Sequence, residues 1–202
     1  MRNVAIVIFD EVEVLDFTGP YEIFTASGGR NGGEVQFNVY TVAEKSPITA
    51  RKNLIVVPNY LYDDCPKPDI LVIPGGGSYS ADRTPLGSRR EMNNPKLLEW
   101  IKLHSQTAEL ILSVCTGALI LAKAGLLENL AATTHFRSID DLKAVAPTTE
   151  IYPEKRWVDN GRIILSAGVS AGIDASLYTV GKLLGKEIAD ETAYHIQYDH
   201  WK

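Results

Sequence analysis

The chain has 202 residues and a formal net charge of −5, so it offers no basic block for neutralising nucleic-acid phosphates. Its hydrophobic fraction of 45% and charged fraction of 22% are those of an ordinary globular protein, and no apolar run approaches the ~20 residues that cross a bilayer. The length suits one well-filled domain over 1–202. The only cysteines, Cys65 and Cys115, have no second ligand at metal-binding spacing, which points away from zinc.

The apolar run over 4–9 reads as a buried first strand rather than a signal peptide, and the expected location is cytoplasmic. Asp16 to Pro20 opens a helical pattern through Tyr21, Ile23 and Phe24, with Pro20 expected in the first turn. A glycine-rich loop is read over 27–33 and a half-buried alternating strand over 35–42. The run 54–57 reads as part of a hairpin or edge ribbon. The run 69–73 is a buried strand entering the turn Pro74-Gly75-Gly76-Gly77. A polar loop follows over 78–94, and Pro95 starts a helix carrying Leu97, Leu98, Trp100, Ile101 and Leu103. A strand over 110–114 precedes a helix that ends near Gly125. A short helix is read over 140–145, then a hairpin over 157–165 turning at Asp159-Asn160-Gly161. The last element read is a helix over 171–184.

Strands alternating with helices predict an α/β fold: a three-layer sandwich with a mainly parallel sheet and helices on both faces, flavodoxin-like in plan. Ligands gather at the carboxyl ends of such strands, where Asp16, Gly75 to Gly77 and Cys115 all fall. Cys115 sits where an apolar strand meets a helix, the pattern of a nucleophile elbow with sulfur in place of oxygen. There the amides opening the helix are expected to favour a thiolate. A lone cysteine is more often a buried small hydrophobe, and that reading is kept for Cys65 in its turn-rich loop.

Five motifs in this order resemble the ThiJ/PfpI superfamily. They are Leu15-Asp16-Phe17-Thr18-Gly19-Pro20, Ile73-Pro74-Gly75-Gly76-Gly77, Ser113-Val114-Cys115-Thr116-Gly117, Ala132-Thr133-Thr134-His135, and Gly168-Val169-Ser170-Ala171-Gly172-Ile173-Asp174. The resemblance covers nearly the whole chain and is greatest to the isocyanide (isonitrile) hydratase branch. Protease-like and glyoxalase-like branches place histidine directly after the cysteine, where this chain has Thr116. Deglycase-like and redox-chaperone branches carry glutamate at the place of Asp16. The regulator branch continues into a helix-turn-helix domain, for which a chain ending at Lys202 leaves no room.

The resemblance implies a fold with the elbow at Cys115 and hydration of a small isocyanide to an N-substituted formamide. Cys115 would attack the carbene-like carbon as a thiolate, and Asp16 would act as general acid and then general base with a raised pKa. Thr116 would add its hydroxyl and amide, and Gly76 its amide, as donors to the reacting group. Asp16 as a helix cap stays open beside Asp16 as catalyst. The glycine turn lacks a dinucleotide pattern, so no cofactor is expected, and His135 is read as structural. The resemblance also implies a homodimer acting on a small molecule, without nucleic acid or membrane. Alternatives are a redox-sensing or ligand-binding protein, or a glyoxalase- or deglycase-like enzyme. Two departures from the branch bear on substrate choice: the long polar segment after Gly77, and Phe136 where tryptophan is common.

Overall fold

The computed structural model describes residues 1–28 and 34–199. The loop read over 27–33 and the residues from His200 onward therefore fall largely outside the described residues. The chain begins with β1 (Arg2–Val7), α1 (Val14–Ala26) and β2 (Phe37–Ala43). A small ribbon of β3 (Ile48–Ala50) and β4 (Leu54–Val56) follows, then β5 (Tyr60–Leu61) and β6 (Ile70–Ile73). Next come α2 (Ser88–Glu91), α3 (Pro95–Ser105), β7 (Leu110–Ser113) and α4 (Gly117–Lys123). The remainder is β8 (Ala131–Ala132), α5 (Ile139–Val145), β9 (Glu150–Ile151), β10 (Trp157–Asp159), β11 (Ile163–Ser166), α6 (Ala171–Leu184) and α7 (Lys186–His195).

Seven strands form the central sheet in the order β10-β11-β7-β6-β1-β2-β5. All its pairings are parallel except β10 with β11, the hairpin read over 157–165. The inner strands are apolar along their length because helices cover both faces. Val4 to Val7 and Ile70 to Ile73 have no accessible surface. Helices α1, α6 and α7 pack against one another on one side of the sheet, while α2, α4 and α5 cluster on the other. Gly19 lets α1 approach α6, since a Cβ there would lie 3.2 Å from Ile173 Cγ1. Asn94 caps α3 by accepting from the amides of Lys96 and Leu97, and Pro95 follows it in the first turn.

The register sets the site. Ile73 pairs with Ser113, and Ser113 with Leu165, so the turns after β6, β7 and β11 emerge level with one another. They carry Gly75 and Gly76, Cys115 and Thr116, and Gly168 and Val169.

Four features differ from the sequence reading. Helix α1 begins at Val14, so Pro20 lies well inside it and removes the helical donor to the Asp16 carbonyl. Strand β2 does not alternate, because it is an interior strand between β1 and β5. The polar loop of 78–94 contains α2, with Ser88, Arg89 and Glu91 buried. A further helix, α7, follows the one read as last, and Gly185 at φ 101° separates the two.

Two glycines that end and begin turns around α4 are expected to respond differently to alanine. A Cβ on Gly117 would meet the Ile73 carbonyl oxygen at 2.0 Å, whereas around Gly125 nothing lies within 4 Å and only its φ of 76° resists. Gly125→Ala is expected to cost about 1 kcal/mol in urea unfolding, and Gly117→Ala at least about 3 kcal/mol or the folded state itself. Equal losses would contradict the packing described.

Candidate active site

Cys115 adopts φ 57° at the turn from β7 into α4 and is 5% exposed. A non-glycine residue holds this left-handed conformation only when its surroundings over-determine it. Four hydrogen bonds do so. The Val114 amide donates to the Ile73 carbonyl at 3.0 Å, and the Cys115 amide to the Ala167 carbonyl at 3.1 Å. The Gly117 amide donates to the Val114 carbonyl at 2.9 Å, and Thr134 Oγ1 to the Cys115 carbonyl at 2.8 Å. Cys115 is thus a strand-to-helix elbow tied to both neighbouring strands.

Asp16 comes from the first turn of α1 and is fully buried. Because the helix starts at Val14, with Glu13 before it, Asp16 is not its N-cap. Its Oδ2 instead accepts from the Gly75 amide at 3.0 Å, while Oδ1 has no well-aligned partner among the described residues. The carboxyl and the Cys115 thiol are close enough to perturb each other's titration, so the contact is one of proximity rather than of aligned hydrogen bonding. Burial raises the Asp16 pKa from 3.8 to about 7; Glu13 adds to the rise, and the Gly75 amide, the thiol and Arg51 oppose it.

The expected thiolate is corrected here. Burial, and then the neighbouring Asp16 charge, push the Cys115 thiol up to about 12. The backbone amides of Val169 and Thr116 pull the other way without prevailing. Helix α4 has only seven residues, and two amides do not offset a dry site beside a carboxyl. Once Asp16 has ionised, the pair holds one proton, and it rests on sulfur.

Thr116 and Gly76 lie at the site in a different arrangement from the one read from sequence. The Gly76 amide donates to Thr116 Oγ1 at 3.0 Å, so that amide is committed inside the protein and is not offered to a ligand. Thr116 Oγ1 also lies 2.7 Å from Ser88 Oγ, which occupies its hydroxyl too. The Thr116 amide remains beside the sulfur. Gly75 is glycine because the elbow presses against it: a Cβ would lie 2.4 Å from both Thr116 N and Thr116 Oγ1.

Two residues of the site carried no legible role in the sequence. Val169, at φ 44°, turns its amide toward the sulfur; its motif was visible, but a β-branched residue in that conformation is not foreseen from sequence. Ser88 looked like one more polar loop residue. His135 has the structural part assigned to it: its Nδ1 accepts from the Arg137 amide at 3.3 Å, and its ring packs where a Cβ on Gly168 would fall. Cys65 and Cys115 are both free thiols.

Among the described residues no group of three metal-binding side chains occurs, and no helix is long and apolar enough to cross a membrane. A cleft of about 770 Å³ opens beside the ends of β1 and β2, but Cys115 and Asp16 do not line it. Its charged walls are already paired, Lys45 with Asp10 at 2.5 Å and Arg90 with Glu91 at 2.7 Å.

A model of the DJ-1/PfpI family matches residues 2–181. The chain belongs to the DJ-1/PfpI family. It is 31% identical over 197 residues to an isonitrile hydratase of Pseudomonas putida, covering 97% of this chain and 78% of that protein. A crystal structure of a ThiJ/PfpI family protein from Pseudomonas syringae superposes with TM-score 0.84 at 29% identity, over 98% of this chain and 75% of the other. Drosophila melanogaster DJ-1beta superposes with TM-score 0.79 at 17% identity, over 97% of each chain, and at that distance shares the fold alone.

Asp16 makes stability depend on pH in a defined direction. A carboxyl whose pKa rises from 3.8 unfolded to about 7 folded costs nothing while protonated in both states, and costs progressively more as the pH climbs between those values. Above about pH 7 that cost reaches at most about 4 kcal/mol. Asp16→Asn is therefore expected to raise the melting temperature at about pH 8, with the gain vanishing as the pH falls toward about 4. A destabilised Asn variant at the higher pH would contradict the raised pKa.

Proposed function

We propose that this DJ-1/PfpI family member is a cysteine-dependent hydratase that adds water to a small isocyanide and releases an N-substituted formamide. The observation that carries the reading is the buried pair of an elbow thiol and a carboxyl titrating near neutrality. The similarity to an isonitrile hydratase over almost the whole chain supports it.

The chemistry needs a nucleophile and a proton delivered to the same carbon, and the pair holds both. With Asp16 ionised, the Cys115 sulfur bonds to the terminal carbon of the isocyanide. Its proton passes through the Asp16 carboxyl to that carbon, giving a thioimidate. Asp16, again a carboxylate, takes a proton from an attacking water and hands it to the nitrogen. The tetrahedral adduct then loses its hydroxyl proton to Asp16 as the carbon–sulfur bond breaks, and that proton returns to sulfur. The sum is one isocyanide and one water to one formamide, with the enzyme restored. In the dry pocket the Thr116 and Val169 amides steady the negative charge that passes through sulfur. No cofactor, metal, nucleic acid or membrane enters this reading. The protein would act on its small molecule as a cytoplasmic homodimer, which light scattering would test by returning twice the chain mass.

A redox-sensing role is less favoured, because sensor cysteines are exposed thiolates, whereas Cys115 is buried with a high pKa. The lack of histidine at position 116 counts against glyoxalase-like chemistry.

Formamide production from tert-butyl isocyanide, followed by NMR, tests the proposal. Cys115→Ala is expected to abolish turnover in a folded protein, and Asp16→Asn to reduce it at least about 100-fold. In the wild type, kcat/KM is expected to rise with pH through a midpoint of about 7 as Asp16 ionises, then stay level until strongly alkaline pH. Full activity in Cys115→Ala, or a kcat/KM that falls through the same midpoint, would rule the mechanism out.

A further inference from the structure

The segment 78–87 leaves the glycine turn after β6 and returns to the same point. At its neck the Leu86 amide donates to the Ser78 carbonyl at 2.9 Å, and the Ser88 amide to the Gly76 carbonyl at 3.0 Å. Within it, the Ser80 amide donates to the Thr84 carbonyl at 3.0 Å, and Ala81 to Thr84 are exposed at the tip. Ser88 closes the neck and has no accessible surface.

The Ser88 hydroxyl meets the elbow. It donates to the Gly76 carbonyl at 2.9 Å and lies 2.7 Å from Thr116 Oγ1, which accepts from the Gly76 amide at 3.0 Å. A serine hydroxyl has one proton, so Ser88 shares it between the Gly76 carbonyl and Thr116 Oγ1, and Thr116 Oγ1 accepts from both Ser88 O–H and Gly76 N–H. The three contacts close a ring of Gly76, Thr116 and Ser88, with Ser88 as hydroxyl donor and Thr116 as hydroxyl acceptor, and both peptides flanking Gly76 are pinned. One residue earlier, the Gly75 amide is the donor to Asp16, and the Gly75 carbonyl accepts from the Glu13 amide at 3.0 Å. On the other side of the ring, the Thr116 amide adjoins the sulfur.

We propose that Ser88 is a positioning residue for the Cys115–Asp16 pair: through Gly76 and Thr116 its hydroxyl fixes the amide that serves the carboxyl and the amide that serves the sulfur. Ser88 touches neither reacting group. It converts closure of the 78–87 loop into correct placement of both. A residue needed there only for packing would not require an oxygen, and an apolar one would take from the buried Thr116 Oγ1 and Gly76 carbonyl the hydroxyl donor they share. The proposal rests on Cys115 and Asp16 working as a pair, not on an isocyanide being the substrate.

The test is the rate of Cys115 alkylation by iodoacetamide against pH, read by mass spectrometry in a Cys65→Ser background, with isocyanide turnover measured alongside. Ser88→Ala is expected to move the ascending limb near neutrality upward by about half a unit or more, as the Gly75 donor to Asp16 loosens. It is also expected to lower kcat about tenfold with KM changed less than about twofold. Ser88→Thr should restore both, Thr116→Val should reproduce them, and the double variant Ser88→Ala with Thr116→Val should be no worse than either alone. A loss of melting temperature with an unmoved pH profile and kcat would reduce Ser88 to a structural residue, and additive effects in the double variant would break the ring. If Ser88→Ala does not fold, Thr116→Val and Ser88→Thr decide the matter by the same readouts. If the wild type turns over no isocyanide, the alkylation profile still decides the positioning role while the hydratase reading falls.

Discussion

One fully buried carboxyl, with the Gly75 amide as its aligned donor, governs this site. Among the described residues Asp16 has the Gly75 amide as its well-aligned donor, and its second oxygen has no aligned partner beside the thiol. In a dry environment a lone amide does not compensate for lost hydration, so the group stays protonated up to near-neutral pH. A carboxyl so placed is poor for stability and well suited to moving protons at neutral pH. The rest of the local architecture keeps water out and the thiol in: the left-handed elbow, the level ends of β6, β7 and β11, and the glycine turn that lets β6 and the elbow touch.

The same constraint reverses the usual picture of an activated cysteine. An elbow before a helix suggests an electropositive cradle and a standing thiolate. Here the helix is short, the thiol is buried and the nearest ionisable group is acidic, so sulfur holds the proton in preference to carboxylate. That suits addition to an isocyanide, whose carbon must accept a nucleophile and a proton together. A thiol with an adjacent carboxylate carries both and brings no net proton in or out.

Much of this was legible in the sequence, for identifiable reasons. Buried parallel strands announce themselves as unbroken apolar runs, and turns after them as Pro74-Gly75-Gly76-Gly77 or as Cys115-Thr116-Gly117. The hairpin of β10 and β11 was signalled by Asp159-Asn160-Gly161, and the start of α3 by Asn94-Pro95. What was illegible depends on through-space burial and on single rotamers. Nothing in the order of residues says that Gly76 spends its amide on Thr116, or that Ser88, amid polar neighbours, is fully buried. Pro20 suggests a first helical turn, whereas packing of α1 against β1 and α6 tolerates it inside the helix. The sign of the thiol's pKa shift is not legible because the sequence shows the helix and hides the dryness.

The location of the pair's proton is the central claim, and a ¹³C titration of the Asp16 side-chain carboxyl, assigned by its loss in Asp16→Asn, reads it most directly. The carboxyl resonance is expected to move through a midpoint of about 7, with the Cys115 β-carbon remaining at its thiol position well above that pH. A midpoint at or below the ordinary carboxylate value of 3.8, or a thiolate shift at Cys115 near neutrality, would contradict it.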